Sequence, residues 1–286
     1  SLVIKLKLTM RKPNLFLVGA PKAGSTLLWT ILKEHKDIFF SKNPEKEINY
    51  FSYDELVNNS YYKDYKVSTE KSYLKIFKSA QSVKYLADGS VSYFSYPSIP
   101  KKIYEFNSDA KIIIIVRDPF HRAFSHYNMD KRMGYATEDF SDYLKNKDNR
   151  HKKFIHQYIE NSLYYKHVNN YLKYFHKDQI CILQLEKINT DLERLYRFLD
   201  IETLKLGGNY KRVNSHKEPR NIISRTLQHN RYLATTLKKF IPKKVVSYLD
   251  FFLYKKAKKI LLTSYERNLL EEYIDEDYSK FKKYIL

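Results

Sequence analysis

Apolar positions along the chain alternate between short unbroken runs and longer stretches in which they recur at helical spacing, the pattern of strands alternating with helices. Runs at residues 15–18, 84–87, 111–116 and 179–185 read as strands. The third, KIIIIV, carries five β-branched residues in succession, which suits a strand buried on both faces of a parallel sheet. Helices are expected at 25–34, 120–133, 161–175 and 191–199. Residues 135–155 are polar and read as loop with a short helix, and 222–286 read mostly as helix broken at Pro242 and appended to the core. An α/β fold with a central parallel sheet follows from this alternation. Neither an internal repeat nor a flexible linker interrupts it.

The chain of 286 residues, 43% hydrophobic and 16% aromatic, is long enough to bury a large core, which excludes disorder of the whole chain. Its one cysteine, Cys181, lies in the apolar run QICILQL, so a buried thiol is expected and no disulfide framework or cysteine-rich zinc site is available. No apolar stretch approaches the roughly 20 residues of a membrane helix, and the first twelve residues form a basic segment without a signal peptide's apolar centre. The expectation is a soluble cytoplasmic protein or an excised catalytic domain. A formal net charge of +20 suits an anionic partner, while the abundance of lysine, asparagine, tyrosine and isoleucine all along the chain gives the same charge without one.

Chemistry enters at residues 16–29, FLVGAPKAGSTLLW. Gly19 and Gly24 have the separation of a P-loop's glycines, but Ser25 stands where the lysine of G-x-x-x-x-G-K-[ST] belongs, and Lys22 lies inside the loop. A strand, a glycine turn and a helix starting at Ser25 aim free backbone N–H groups and a positive helix end at one spot, so Lys22, Ala23, Gly24, Ser25 and Thr26 form a candidate anion cradle. The same turn can also serve structure alone. The fold expected is therefore a P-loop-like three-layer one with a helical C-terminal extension. A second anchor, IIIIVRDPFHRAFSHYN, leaves Arg117 at the carboxyl end of the best strand and Ser125 about two helical turns on, where a guanidinium fork and a hydroxyl can grip another phosphate. The alternative is a surface pair of Arg117 with Asp118 and an ordinary helical serine.

Together these motifs resemble the PAPS-dependent sulfotransferases, more closely the carbohydrate and bacterial branch than the phenol and steroid branch. GAPKAGSTLL matches the family's 5′-phosphosulfate loop and RDPFHRAFSHY its 3′-phosphate site, and the likeness continues through ADGSVSYF, LYYKHVNNYLKYF, ICILQLEKINTDLERLYRFLDI and RVNSHKEPRN. The resemblance implies a single sulfotransferase domain over residues 13–286. Its donor would be 3′-phosphoadenosine 5′-phosphosulfate (PAPS), its product adenosine 3′,5′-bisphosphate (PAP), and no metal would take part. Lys22 would neutralise charge growing on the oxygen that bridges phosphorus and sulfur, and Arg117 and Ser125 would hold the 3′-phosphate. Lys217 and Arg220, in the late loop, would lie nearest that phosphate.

The phrase PEKEINYFS, residues 44–52, resembles the carbohydrate branch's K-E-x-x-[FY]-F, whose glutamate is the general base, and this assigns the role to Glu47. His35, His121 and His126 are rivals, and Glu47 can also be read as one solvated charge among several. One departure stands out: the heparan sulfate enzymes place a lysine before S-x-x-Y-[FL], where this chain has Asp88-Gly89, which favours a bacterial-type member with another acceptor. The acceptor expected is a hydroxyl on a polysaccharide, an oligosaccharide or a small-molecule alcohol. Two other readings stay open, a divergent P-loop kinase and a non-catalytic polyanion-binding protein. The second draws on residues 237–262, where cations and aromatics mix and contact with a membrane surface is conceivable, though nucleic acid is the less favoured ligand.

Overall fold

The computed structural model describes residues 11–41, 46–57, 67–80, 82–145, 152–204, 217–219, 254–256 and 260–285. Its centre is a five-stranded parallel sheet of β1 (Leu15–Gly19), β2 (Ile38–Phe40), β3 (Tyr85–Asp88), β4 (Lys111–Val116) and β5 (Ile180–Gln184), in the order β2-β3-β1-β4-β5. All four expected strands are present within a residue or so of their expected bounds. The edge strand β2 was not expected, because three residues give no period by which to tell a strand from a helix turn. β1 pairs Leu15 with Ala87 on one side and Lys111 on the other, and β4 continues through Ile112↔Ile180 to Val116↔Gln184.

Alternation along the strands divides the core between the two faces of the sheet. Phe16, Val18, Ile112 and Ile114 point to one side, where they meet α4 (Ile99–Phe106) and α8 (Tyr164–Leu172) through Ile103, Val168 and Tyr171. Leu15, Leu17, Ile113 and Ile115 point to the other, against α1 (Ser25–Lys33) and α9 (Ile188–Leu199) through Leu28, Leu32, Leu192 and Leu195. Two short helices, α2 (Tyr53–Val57) and α3 (Glu70–Ile76), lead into β3. A separate aromatic cluster joins α5 (Pro119–Met133), α6 (Phe140–Lys145), α7 (Lys152–Tyr158) and α10 (Ser264–Phe281) through Phe124, Tyr127, Phe140, Tyr143, Tyr158 and Ile274. This cluster absorbs several of the tyrosines whose abundance said little on its own.

Of the region after residue 222, expected to be mostly helix, the structure describes residues 254–256 and 260–285. Residues 222–253 lie outside those described; β7 (Tyr254–Lys256) pairs antiparallel with β6 (Lys217–Pro219), and among the described residues of this region α10 is the long helix. Aromatic residues around 251–254 favour a strand as readily as an amphipathic helix. Thr263 caps α10 in a box with Glu266, and Asp277 from that helix accepts the backbone N–H groups of Tyr165 and Lys166, each at 2.9 Å, at the start of α8. Of the basic N-terminal segment, Arg11 and Lys12 are described, and they donate to the carbonyls of Val83 and Phe106. No helix among the described residues is long and apolar enough to cross a membrane.

Candidate active site

Successive strands go first to one side of β1 and then to the other, so β1 lies at the switch point where open α/β sheets bind ligands beyond their carboxyl ends. The loop after β1 is shaped by its glycines. Gly19 has φ +154°, and a Cβ there would lie 2.6 Å from Phe94 Cβ; Gly24, the N-cap of α1, has φ +98° and approaches Leu185 as closely. Lys22 adopts a left-handed φ of 64° between them. Ala20 donates to Ile115 O at 2.7 Å and Ala23 to Ala20 O at 3.2 Å, so the loop folds back on β4 and on itself. No side chain caps α1 and no acid stands in its first turn, which leaves the leading N–H groups at Ser25 and Thr26 directed at the loop.

Cations gather around this turn. Burial, reinforced by Arg132 and then by Arg122 and Arg117, lowers the Lys22 ammonium to about 8, while Asp130 pulls the other way. Lys22 Nζ meets only the thioether of Met129 at 3.4 Å among its described hydrogen-bond partners. Such a lysine gains from any anion that arrives. Arg122, wholly buried, ties the loop to the body of the protein: it donates to Pro21 O, Ser162 Oγ, Gln157 O, Tyr158 O and His126 Nδ1. Sequence reasoning assigned it no role, because its partners lie on segments up to 101 positions away.

The second anchor stands close to where it was expected. Arg117 follows the last residue of β4, its carbonyl accepts the Tyr164 hydroxyl at 2.9 Å, and its charge is felt at Lys22. Asp118 caps α5, accepting the His121 N–H and facing His121 Nδ1, both at 2.8 Å. Ser125 is half-buried on α5. Lys217 belongs to β6, and Arg220 lies outside the described residues.

Glu47 is brought to the same edge. Its Oε2 accepts the Val91 N–H at 2.9 Å, and its Oε1 accepts from Lys46 Nζ at 2.7 Å; the same ammonium reaches Ser25 Oγ at 3.3 Å. The glutamate is therefore linked through Lys46 to the first turn of α1, which the picture of a freely solvated charge does not describe. Its segment is unusual in holding two non-glycine residues at positive φ, Glu47 at 60° and Asn49 at 58°. A buried carboxylate stabilises it: Asp88 accepts from Ser90, Tyr73 and Tyr93, Ser90 Oγ accepts the Asn49 N–H, and Ser92 donates to Asn49 Oδ1. Complete burial raises Asp88 to about 6 despite those three donors.

The histidine rivals are engaged elsewhere. His35 bonds Glu202 O and the Asp37 N–H at the far end of α1, His121 faces Asp118, and burial beside Arg122 pushes His126 well below its ordinary value. Burial pushes the Cys181 thiol up to about 12, as suits an inert core residue. Among the described residues no three His, Cys, Asp or Glu side chains gather as a metal site.

Known proteins are similar to this chain in sequence and fold. The family model described as a sulfotransferase domain matches residues 12–247. Heparan sulfate glucosamine 3-O-sulfotransferase 5 of Mus musculus is 25% identical over 202 residues, 68% of this chain and 55% of that protein. Luciferin sulfotransferase of Photinus pyralis is 26% identical over 223 residues, covering 73% of this chain and 54% of its own. The match thus spans about half the length of these relatives. Among solved structures, a sulfotransferase from Alicyclobacillus acidocaldarius is 28% identical with a TM-score of 0.60, covering 68% of this chain and 83% of that one. With a family match over most of its length, a glycine loop holding an internal lysine and the expected sheet around it, the chain belongs to the sulfotransferase family.

Proposed function

We propose that this protein transfers a sulfuryl group from PAPS to an acceptor hydroxyl, by in-line displacement, with Glu47 as general base and Lys22 at the leaving group. The observation that carries the reading is the link from Glu47 through Lys46 to Ser25, because it sets a base beside an anion cradle. The cradle suits a phosphosulfate: an uncapped helix start, a hydroxyl at Ser25 and a lysine whose charge is costly until an anion compensates it. PAPS supplies a sulfuryl group on a leaving oxygen and a second phosphate by which to be held.

Glu47 takes the proton of the acceptor hydroxyl as its oxygen bonds to sulfur. The sulfur–oxygen bond to the donor breaks, its electron pair stays on the former bridging oxygen, and Lys22 neutralises the charge that grows there. Arg117 and Ser125 hold the 3′-phosphate, with Lys217 and Arg220 as further cations for it. The acceptor is a saccharide or a small-molecule alcohol, in keeping with relatives named for heparan sulfate glucosamine and for luciferin.

The test is PAP release from PAPS in the presence of heparan-type saccharides, simple alcohols and phenols. Wild type should release PAP with at least one acceptor class, and Glu47→Gln should lower that rate about 10²–10⁴-fold. Release that is unchanged in Glu47→Gln would remove the base from the account, and magnesium-dependent ATP hydrolysis without PAP release would replace the account with a kinase.

A further inference from the structure

Lys46 stands where the two loops meet, and nothing in the reaction as described requires a lysine there. Its side chain is only 16% exposed. The stem runs over Gly89, where a Cβ would lie 3.7 Å from Lys46 Cγ and within 3.5 Å of both Trp29 and Phe40. Lys46 thus packs beside Gly89 at ordinary contact distance. Among the described residues its partners are Glu47 Oε1 at 2.7 Å and Ser25 Oγ at 3.3 Å, which use two of the three donors of an ammonium. One partner carries a charge and the other is a neutral hydroxyl at the mouth of a positive helix end.

Glu47 compensates that ammonium from one side only, and the side towards Ser25 offers it no negative charge. The positive start of α1 repels an ammonium, and Glu47 is the single described carboxylate bonded to Lys46. An anion at Ser25 would change the balance, because it would accept from Lys46, from the Ser25 hydroxyl and from the helix N–H groups together.

We propose that Lys46 binds the anionic 5′ group of the donor, sharing it with Ser25 and Lys22 while it keeps Glu47 beside the transferred sulfur. The proposal rests on the sulfuryl-transfer reading and adds to it a binding residue from the base's own loop. Donor binding and placement of the base are then one event, since a single ammonium contacts both.

The experiment compares two probes that differ only at the 5′ position, PAP and adenosine 3′-monophosphate, in calorimetric titrations of wild type, Lys46→Met and Lys46→Arg. Loss of a charge-assisted hydrogen bond should weaken PAP binding by Lys46→Met about 10- to 100-fold, leave the monophosphate within about twofold, and be largely restored in Lys46→Arg. Equal weakening of both probes would mean a general effect on folding, and no weakening would mean no contact; either result overturns the proposal. Failure of wild type to bind PAP would overturn the sulfuryl-transfer reading and this proposal with it, whereas failure of the proposal alone leaves wild-type PAP binding intact.

Discussion

The loop after β1 and the segment carrying Glu47 meet over one sheet edge, yet they are held by different means. Glycine conformations, backbone hydrogen bonds and the buried Arg122 shape the first. Both hold non-glycine residues at positive φ, Lys22 in the first and Glu47 and Asn49 in the second, but the second is held by side chains that converge on the buried carboxylate of Asp88. A left-handed φ costs an ordinary residue on the order of 1–2 kcal/mol, so Glu47 and Asn49 persist only while that network holds. The difference teaches that the proposed anion cradle is built largely from main chain, whereas the proposed base facing it is placed by side-chain chemistry that responds to pH.

The sharpest way to break the comparison is Gly19→Ala. A methyl group there meets Phe94 Cβ at 2.6 Å on a backbone at φ +154°, and combined strain and overpacking should cost about 3 kcal/mol in urea unfolding. An unchanged unfolding midpoint would show that the turn does not depend on glycine.

Next in size is the pH response of the second loop. With Asp88 raised to about 6 against an ordinary 3.8, the folded chain keeps a proton that the unfolded chain has already lost. The stability from this group is present below about pH 4 and disappears as pH rises through 6, a change on the order of 3 kcal/mol. Unfolding at pH 4, 5 and 7 should show this decline in wild type and its absence in Asp88→Asn. Parallel curves for the two proteins would remove the buried carboxylate from the account.

The smallest effect belongs to the first loop. Because the Lys22 ammonium is lowered to about 8, PAP should bind with uptake of a proton above that pH, and affinity should fall by up to about tenfold per pH unit from 8 towards 10. Lys22→Met should bind weakly with no such decline. A flat wild-type profile would place Lys22 away from the anion.

The same contrast explains what could be read before the fold was known. The β1 loop and β4 are local signals: two glycines five apart and five β-branched residues in a row place the turn and the central strand beside it without any knowledge of contacts. Glu47 was found through a resemblance, but its supports were not, because Val91 and Ser90 lie more than 40 positions away in sequence. Asp88 drew notice as a departure from relatives, yet its burial and its three hydroxyl donors depend on α3 and the turn after β3 coming together. Lys46 looked like one charge in a run, and only its distance to Ser25 separates it from the others. The short β2 and β7 were missed for want of length.

The central claim is that one edge of the sheet binds a nucleotide with phosphate at both ends of its ribose and sets Glu47 beside it. Calorimetric titration of PAP without added metal, into wild type, Arg117→Ala and Glu47→Ala, tests it most directly. The account predicts binding by wild type, weakening of about tenfold or more in Arg117→Ala from the lost charge-assisted contact, and near-wild-type affinity in Glu47→Ala. Absence of PAP binding by wild type, or equal binding by wild type and Arg117→Ala, would contradict it.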